Sequence, residues 1–165
     1  MARVLITGMS GAGKSTALLE LQRRGHLVVD TDYGNWKELI SEHEEIWRED
    51  RMIQLLTNHT TGTLFVSGCE SNQGKFYAQF EAVVLLTAPL EVLFERIETR
   101  ETNNFGKSPE KRARVLADIK EIEPLLRKTS THVINTNCPL SDVVDQLGLI
   151  AESIESRAAQ TRKTL

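Results

Sequence analysis

Residues 8–15 read Gly-Met-Ser-Gly-Ala-Gly-Lys-Ser, which matches the phosphate-binding pattern G-x-x-x-x-G-K-[ST] at every position. An apolar run at residues 4–7 precedes the match and a helix-forming run at residues 16–21 follows it, which is the strand, loop and helix order that the pattern needs. The glycines let successive backbone N–H groups turn toward an anion, and the helix that begins near Lys14 adds the positive end of its dipole. Lys14 would contact the β- and γ-phosphates, and the Ser15 hydroxyl would bind Mg²⁺. The sequence therefore predicts a nucleoside triphosphate site formed by Gly8, Ser10, Gly11, Ala12, Gly13, Lys14, Ser15 and Thr16.

The length of 165 residues, with 40% hydrophobic and 26% charged residues, predicts a single globular domain over residues 1–165. No apolar run is long enough to cross a bilayer, so we expect no membrane partner. Cys69 and Cys138 are isolated from each other in the sequence, which favours a reducing, cytoplasmic setting. The net charge of −3 argues against a nucleic-acid partner, and the sequence leaves the oligomeric state open.

Apolar strand patterns alternate with helical patterns along the chain, which predicts an α/β fold of three layers around a parallel sheet. The strands are expected at residues 3–7, 26–30, 63–67, 82–87 and 132–135. The helices are expected at residues 14–24, 89–100 and 108–126, after a capping box of Ser41 with Glu44, and after a cap at Ser141. Residues 71–77, between two strands, suit either substrate contact or a turn packed on the core. Ligands of such folds bind beyond the carboxyl ends of the strands, where the phosphate loop, Asp30, Ser67-Gly68 and Asn135 fall.

Two carboxylates, Asp30 and Asp32, end the second predicted strand. Residues two apart on extended backbone point the same way, so both would face the phosphate loop. Asp30 is placed to hold Mg²⁺ through water, and Asp32 to accept the proton of an attacking hydroxyl. Aspartates after strands also serve as turn residues, which is the competing interpretation.

Basic residues gather between positions 96 and 114 on both sides of a segment without periodicity, residues 101–107. Arg96 and Arg100 are four apart and share one helix face, and Lys107 closes the segment. Cations of this kind stabilise the charge of a transferring phosphoryl group. We expect a closing lid with Arg96 and Lys107 as catalytic cations, although a solvated basic helix would show a similar pattern.

Four segments carry a family resemblance that covers nearly the whole chain: residues 8–16, the Asp-Thr-Asp of 30–32, the basic segment, and residues 123–136 with Glu-Pro-Leu-Leu-Arg and His-Val-Ile-Asn-Thr. In these the chain resembles shikimate kinase and, more broadly, the nucleoside-monophosphate-kinase-like group of phosphate-loop enzymes. The resemblance implies a five-stranded sheet of order 2-3-1-4-5, a substrate-binding region at about residues 33–60 and a lid at about residues 100–112. It also implies that Arg100 lies near the adenine and that Arg127 holds a substrate carboxylate.

The chain departs from that family where the substrate would bind. Gly68-Cys69-Glu70 stands where shikimate kinases have three glycines, and residues 47–51 replace their Phe-Arg motif. The resemblance therefore extends to the fold, the ATP site and phosphoryl transfer, and not to shikimate as the acceptor. Guanidinium groups suit anionic acceptors, so the substrate candidates are Asp32, Arg48, Arg51, Gly68 and Arg127.

These observations favour an ATP- and Mg²⁺-dependent kinase that acts on a hydroxyl or phosphate of a small, anionic metabolite or nucleotide. The alternative is a nucleotide-binding ATPase or sensor without a small-molecule acceptor. A GTP switch would need an Asn-Lys-x-Asp motif, and the sequence contains none.

Overall fold

A computed structural model of the chain describes residues 1–100 and 108–163. The strands are β1 (Ala2–Thr7), β2 (Leu27–Asp30), β3 (Lys37–Ser41), β4 (Glu44–Trp47), β5 (Thr63–Ser67), β6 (Ala82–Thr87) and β7 (His132–Asn135). The helices are α1 (Lys14–Arg23), α2 (Glu49–Asn58), α3 (Leu90–Thr99), α4 (Pro109–Thr129) and α5 (Leu140–Lys163), with a 3₁₀ helix at Gln73–Gln79. In the described part of the chain no helix is long and apolar enough to cross a membrane.

Five parallel strands form the main sheet in the order β2-β5-β1-β6-β7. Counted within this sheet alone, the order is 2-3-1-4-5, so the predicted α/β architecture and its strand order are confirmed. β1 is central, pairing Ile6 with Ser67 of β5 and with Val84 of β6. The carboxyl ends of all five strands therefore meet at one edge of the sheet.

Alternate residues of the buried strands enter two different cores, one on each face of the sheet. On one face, Ile6 and Phe65 pack with Leu18 and Leu21 of α1 and with residues of α5. On the other face, Leu5 and Val66 pack with Trp47 and with α2 and Phe76. A sheet covered on both faces explains why its strands read as nearly continuous apolar runs.

The predicted capping box of Ser41 with Glu44 is wrong. These two residues pair across an antiparallel hairpin, β3–β4, and α2 begins only at Glu49. Residues 37–47 contain two apolar pairs, at 39–40 and 46–47, separated by five polar residues, and such a segment suits a hairpin as well as a helix start. The final helix also begins one residue earlier than its predicted cap, at Leu140. The predicted cap at Ser108 is confirmed, because its Oγ accepts a hydrogen bond from the Lys111 N–H at 3.3 Å.

Candidate active site

The phosphate loop runs from the end of β1 into α1, and its backbone is held in conformations that its glycines allow. Gly11 has a φ of +81°, and a Cβ at this position would stand 2.7 Å from the Leu93 carbonyl oxygen of α3. Gly13, the N-cap of α1, has a φ of +99°. The Lys14 Nζ donates to the carbonyl oxygens of Gly8 at 2.6 Å and Met9 at 3.1 Å. The ammonium group thus lies over the loop, where a phosphate chain would meet it.

Ser15 and Asp30 are joined directly: the Ser15 Oγ donates to Asp30 Oδ2 at 2.6 Å. A hydroxyl at the start of α1 and a carboxylate at the end of β2 are hard oxygen donors, which Mg²⁺ prefers. Among the described residues no three His, Cys, Asp or Glu side chains form a metal-binding group. Mg²⁺ in nucleotide sites usually takes one or two protein ligands and completes its shell with phosphates and water, so Ser15 and Asp30 fit this ion.

Asp32 lies next to this pair and is joined to it through the backbone. Its N–H donates to Asp30 Oδ1 at 3.1 Å, and its side chain lines the same cleft as the phosphate loop. The carboxylate is 48% exposed. β2 ends at Asp30, and the Tyr33 N–H donates to the Asp30 carbonyl oxygen at 3.2 Å, so the expectation that both side chains share one extended backbone is wrong. Asp30 bonds to Ser15 and also accepts from the Asp32 N–H as a turn residue, as in the competing interpretation, while Asp32 lines the cleft.

Lys37, which the sequence analysis did not single out, pairs with three carboxylates. Its Nζ is 3.2 Å from Asp32, 3.2 Å from Glu45 and 3.3 Å from Glu70. Burial opposes the charge on Lys37, but the carboxylates of Glu70 and Asp32 outweigh burial and raise its pKa. Burial raises the pKa of Glu70, and Lys37 opposes that shift only in part. One ammonium group thus connects the residues after β2, the β3–β4 hairpin and the residues after β5.

Arg96 of α3 contacts the backbone of the phosphate loop. Its guanidinium donates to the Gly11 carbonyl oxygen at 3.1 Å, and to the Oγ1 and carbonyl oxygen of Thr136 at 2.8 and 2.7 Å. The Thr136 hydroxyl in turn donates to the Ala12 carbonyl oxygen at 2.8 Å. These bonds place Arg96 as a support of the loop, and its expected catalytic role stays a prediction.

One open cleft of about 540 Å³ brings most of the predicted nucleotide-binding residues together. Cys138 and Leu140 line it beside Thr136, and Tyr33 lies beside Asp32. Burial lowers the pKa of Arg100, which also lines the cleft. The predicted residues along the cleft are Ser10, Gly11, Gly13, Lys14, Ser15, Thr16, Asp32, Arg96 and Arg100.

The arginines predicted to bind the acceptor contact the protein itself. Arg48 donates to the Lys37 carbonyl oxygen at 3.2 Å, and Arg51 donates to the Gly34 and Asn35 carbonyl oxygens at 2.9 and 2.5 Å. Arg127 lies in a separate groove between α3 and α4, where it pairs with Glu123 at 3.2 Å. The structure therefore does not bring these three guanidinium groups together.

Gly68 follows β5 in a place where no side chain fits. A Cβ there would clash with Thr31 Oγ1 and would stand 2.8 Å from the Trp47 ring, which donates to that hydroxyl at 2.9 Å. Its expected substrate contact stays a prediction.

Residues 101–107, with Lys107 and most of the predicted lid, lie outside the described residues.

The segment at residues 71–77 packs on the core. Phe76 is buried, Gln73 donates to Thr7 Oγ1 at 3.2 Å and to the Tyr77 hydroxyl at 2.8 Å, and Asn72 accepts from the Trp47 N–H at 3.0 Å. Of the two interpretations that the sequence left open, these contacts favour the packed turn.

Sequence analysis missed Lys37 and Thr136. The available signal for Thr136 was its place after a strand, but the same rule pointed to Asn135, which is exposed while Thr136 is buried. Lys37 gave no signal, because its three carboxylate partners are 5 to 33 residues away in the chain.

Residues 4–117 match the family described as the AAA domain. A comparison with curated protein sequences gives no match. Among solved structures, a shikimate kinase from Acinetobacter baumannii in complex with shikimate is 19% identical, with a TM-score of 0.65 over 93% of this chain and 94% of that one. A shikimate kinase from Bacteroides thetaiotaomicron is 17% identical, with a TM-score of 0.66 over 92% and 98% of the two chains. A gluconokinase from Sinorhizobium meliloti 1021 is 17% identical, with a TM-score of 0.63 over 94% and 97%. At these identities the likeness is one of fold.

Proposed function

Because the chain belongs to the AAA domain family and has the fold of small-molecule kinases, we propose that it is an ATP- and Mg²⁺-dependent phosphotransferase. The acceptor in this proposal is a hydroxyl group of a small molecule. The observation that carries the proposal is that Asp32 lines the same cleft as the phosphate loop, while Asp30 bonds to Ser15 of that loop. A carboxylate at such a cleft can accept the proton of an attacking hydroxyl, which a kinase needs and a nucleotide sensor does not.

The proposed roles follow from where each group lies. The loop N–H groups and Lys14 would bind the β- and γ-phosphates, while Ser15 and Asp30 would hold Mg²⁺, which neutralises phosphate charge when bound. Asp32 would accept the proton of the acceptor hydroxyl as that oxygen bonds to the γ-phosphorus and the bond to the bridging oxygen breaks. Most of the catalysis would come from positioning and charge stabilisation.

The hairpin side of the cleft would receive the acceptor, in line with the proposed substrate-binding region at about residues 33–60. Tyr33, Trp36 and Lys37, with its carboxylate partners, lie in or beside this region. Arg48 and Arg51 donate to backbone here, so the contacts give no particular support to an anionic acceptor. The acceptor panel should therefore include neutral sugars and polyols beside hydroxy acids and nucleosides.

The test is ADP release from ATP and Mg²⁺ with each acceptor, measured above the release without acceptor. The proposal expects at least one acceptor to raise ADP release and a phosphorylated product to appear by mass spectrometry. Lys14→Ala is the inactive control, because loss of its ammonium should weaken ATP binding and abolish turnover. ADP release that no acceptor changes would instead favour the ATPase or sensor class.

A further inference from the structure

The Ser67 hydroxyl is buried and has no hydrogen-bond partner, and it is the one such side-chain atom in the described ranges. Ser67 itself is 1% exposed. A buried hydroxyl without a partner is costly, so native structures rarely keep one unless something outside the chain satisfies it. The location of this atom therefore points to a ligand.

The Ser67 side chain lies on the face of the sheet that carries α1. Phe65, two residues earlier in β5, packs with Leu18 and Leu21 of α1, and side chains two apart on a strand share a face. By the same alternation, Asp30 shares this face with Val28, which packs against the same core. Ser67 is also the direct register partner of Asp30.

The carboxyl end of the sheet thus presents two oxygen-bearing side chains on the face that carries α1, Ser67 on β5 and Asp30 on β2. The start of α1 adds a third, Ser15. Two of them are already bonded to each other. Thr31 bonds to the Ser67 carbonyl and not to the hydroxyl: the carbonyl oxygen accepts from the N–H and Oγ1 of Thr31 at 3.0 and 2.8 Å. The Ser67 hydroxyl is left without a partner.

We infer that the Ser67 hydroxyl belongs to the metal site, where it hydrogen-bonds a water molecule of the Mg²⁺ ion that Ser15 and Asp30 hold. This inference rests on the proposed function for the presence of Mg²⁺. Mg²⁺ gives up its waters reluctantly and keeps several in nucleotide sites, so its hydration shell needs partners of this kind. Ser67 is a positioning residue in this arrangement, because it acts on the ion through water.

The inference predicts an unusual pair of effects for Ser67→Ala. Removing a hydroxyl that has no protein partner takes away no internal bond, so the thermal midpoint of the nucleotide-free protein should stay equal or rise. The metal effect should be large by comparison, since loss of an outer-shell partner typically lowers metal affinity about tenfold or more.

The experiment measures ADP affinity by calorimetry with Mg²⁺ and with EDTA, for the wild type and for Ser67→Ala. The ratio of the two affinities reports how strongly the metal favours nucleotide binding, and it needs no turnover. We expect the ratio to fall about tenfold in Ser67→Ala, with the affinity in EDTA unchanged.

Thr7→Val is the matched control, because Thr7 is a buried hydroxyl residue at the same sheet edge on the opposite face. Its Oγ1 accepts from Gln73 Nε2 at 3.2 Å, so the variant should lose thermal stability and keep the wild-type affinity ratio. A wild-type ratio in Ser67→Ala would overturn the inference, as would a clear loss of its nucleotide-free stability. A wild type whose ADP affinity does not depend on Mg²⁺ would overturn the proposed metal use as well.

Discussion

Asp32 is the residue whose predicted role can be separated most cleanly from binding. Asp32→Asn keeps the shape of the side chain and removes its ability to accept a proton, so ATP affinity should stay near wild type while phosphoryl transfer falls by a factor of about 10² or more. Transfer is measured by product formation with the acceptor that the panel identifies, and ATP affinity by calorimetry.

Lys37→Met is the matched control, because it removes the cation that contacts Asp32 at 3.2 Å and leaves the carboxylate in place. It should lower transfer less than Asp32→Asn does. Equal losses in the two variants would show that Asp32 acts through its place in the ion-pair cluster and not as a base.

Glu70 gives a prediction about pH. Burial raises its pKa, so the folded protein binds a proton that the unfolded chain has already released, and stability falls as pH rises above about 4. Glu70→Gln has no carboxyl group at this position, so its stability does not fall with pH for this reason. The variant should unfold at the same temperature as the wild type near pH 4 and at a higher temperature at pH 7.

Glu81→Gln should show the opposite sign in the same thermal scans. Burial opposes ionisation of Glu81, but hydrogen bonds from Arg3 outweigh it and lower the pKa. Its stabilising effect is present above the unfolded pKa and is lost as pH falls through the folded pKa. Glu81→Gln should therefore be less stable than the wild type at pH 7, and a Glu70→Gln variant with the same sign would contradict the assignment for Glu70.

At the scale of elements, the β3–β4 hairpin is held to the domain by an arginine on α2. Arg51 bonds two carbonyl oxygens before β3, and its guanidinium lies 4.2 Å from the centre of the Trp36 ring. Arg51→Lys keeps the charge and loses the planar stacking and the paired bonds, so residues 34–47 should open more often. Hydrogen exchange of these amides should become faster by about tenfold, while exchange in β1 stays unchanged.

Arg23→Lys is the control for that variant, because Arg23 is 82% exposed on α1. It should leave exchange in the hairpin at the wild-type rate. Unchanged exchange in Arg51→Lys as well would mean that the backbone pairing of β3 with β4 holds the hairpin without the arginine.

The elements also show where sequence reasoning works. The main-sheet strands are long apolar runs buried on both faces, so their patterns are strong, and all five predicted strands lie within a residue of their observed ends. The hairpin differs on both counts. Leu39 and Ile40 of β3 are 70% and 55% exposed, and β3 pairs only with β4. An exposed strand such as β3 carries no burial pattern, and the predicted capping box of Ser41 with Glu44 puts Ile46 and Trp47 of β4 into a helix.

At the scale of the whole molecule, Thr136 joins elements that are far apart in sequence. Its hydroxyl accepts from Arg96 of α3 and donates to Ala12 of the phosphate loop, and it is buried. Thr136→Val keeps the volume and leaves both partners short of a bond, so the free energy of unfolding should fall by about 1–3 kcal/mol. ATP should also stabilise the variant less, which a thermal scan with and without nucleotide measures.

Thr129→Val is the control, because Thr129 is an exposed hydroxyl residue near the end of α4. Surface changes of this kind usually alter stability by less than about 0.5 kcal/mol. If Thr136→Val behaved like Thr129→Val, the loop would be held by its own backbone and not by the residue that follows β7.

The parts of the candidate site that depend on residues close together in the sequence were predictable. The loop at residues 8–16 lies at the cleft as the motif predicts, because a motif fixes its own short-range geometry. Asp30 and Asp32 also lie beside the loop, but a turn after β2, and not extended backbone, places Asp32 there. The positions of Arg48, Arg51 and Arg127 depend on how the hairpin and α4 pack, and no local pattern carries that information. Long-range contacts such as those of Lys37 and Thr136 emerge only once the chain is folded.

The location of Cys138 allows a label on this thiol to report binding in the cleft. This thiol is exposed and lines the cleft beside Thr136, whereas Cys69 is partly buried against Leu126 and Met9. A thiol-reactive fluorophore should therefore attach first to Cys138, in the cleft that the proposed nucleotide would occupy. Its emission would then follow occupancy of the cleft in real time, and protection of the thiol from labelling would rank nucleotides without any enzymatic assay.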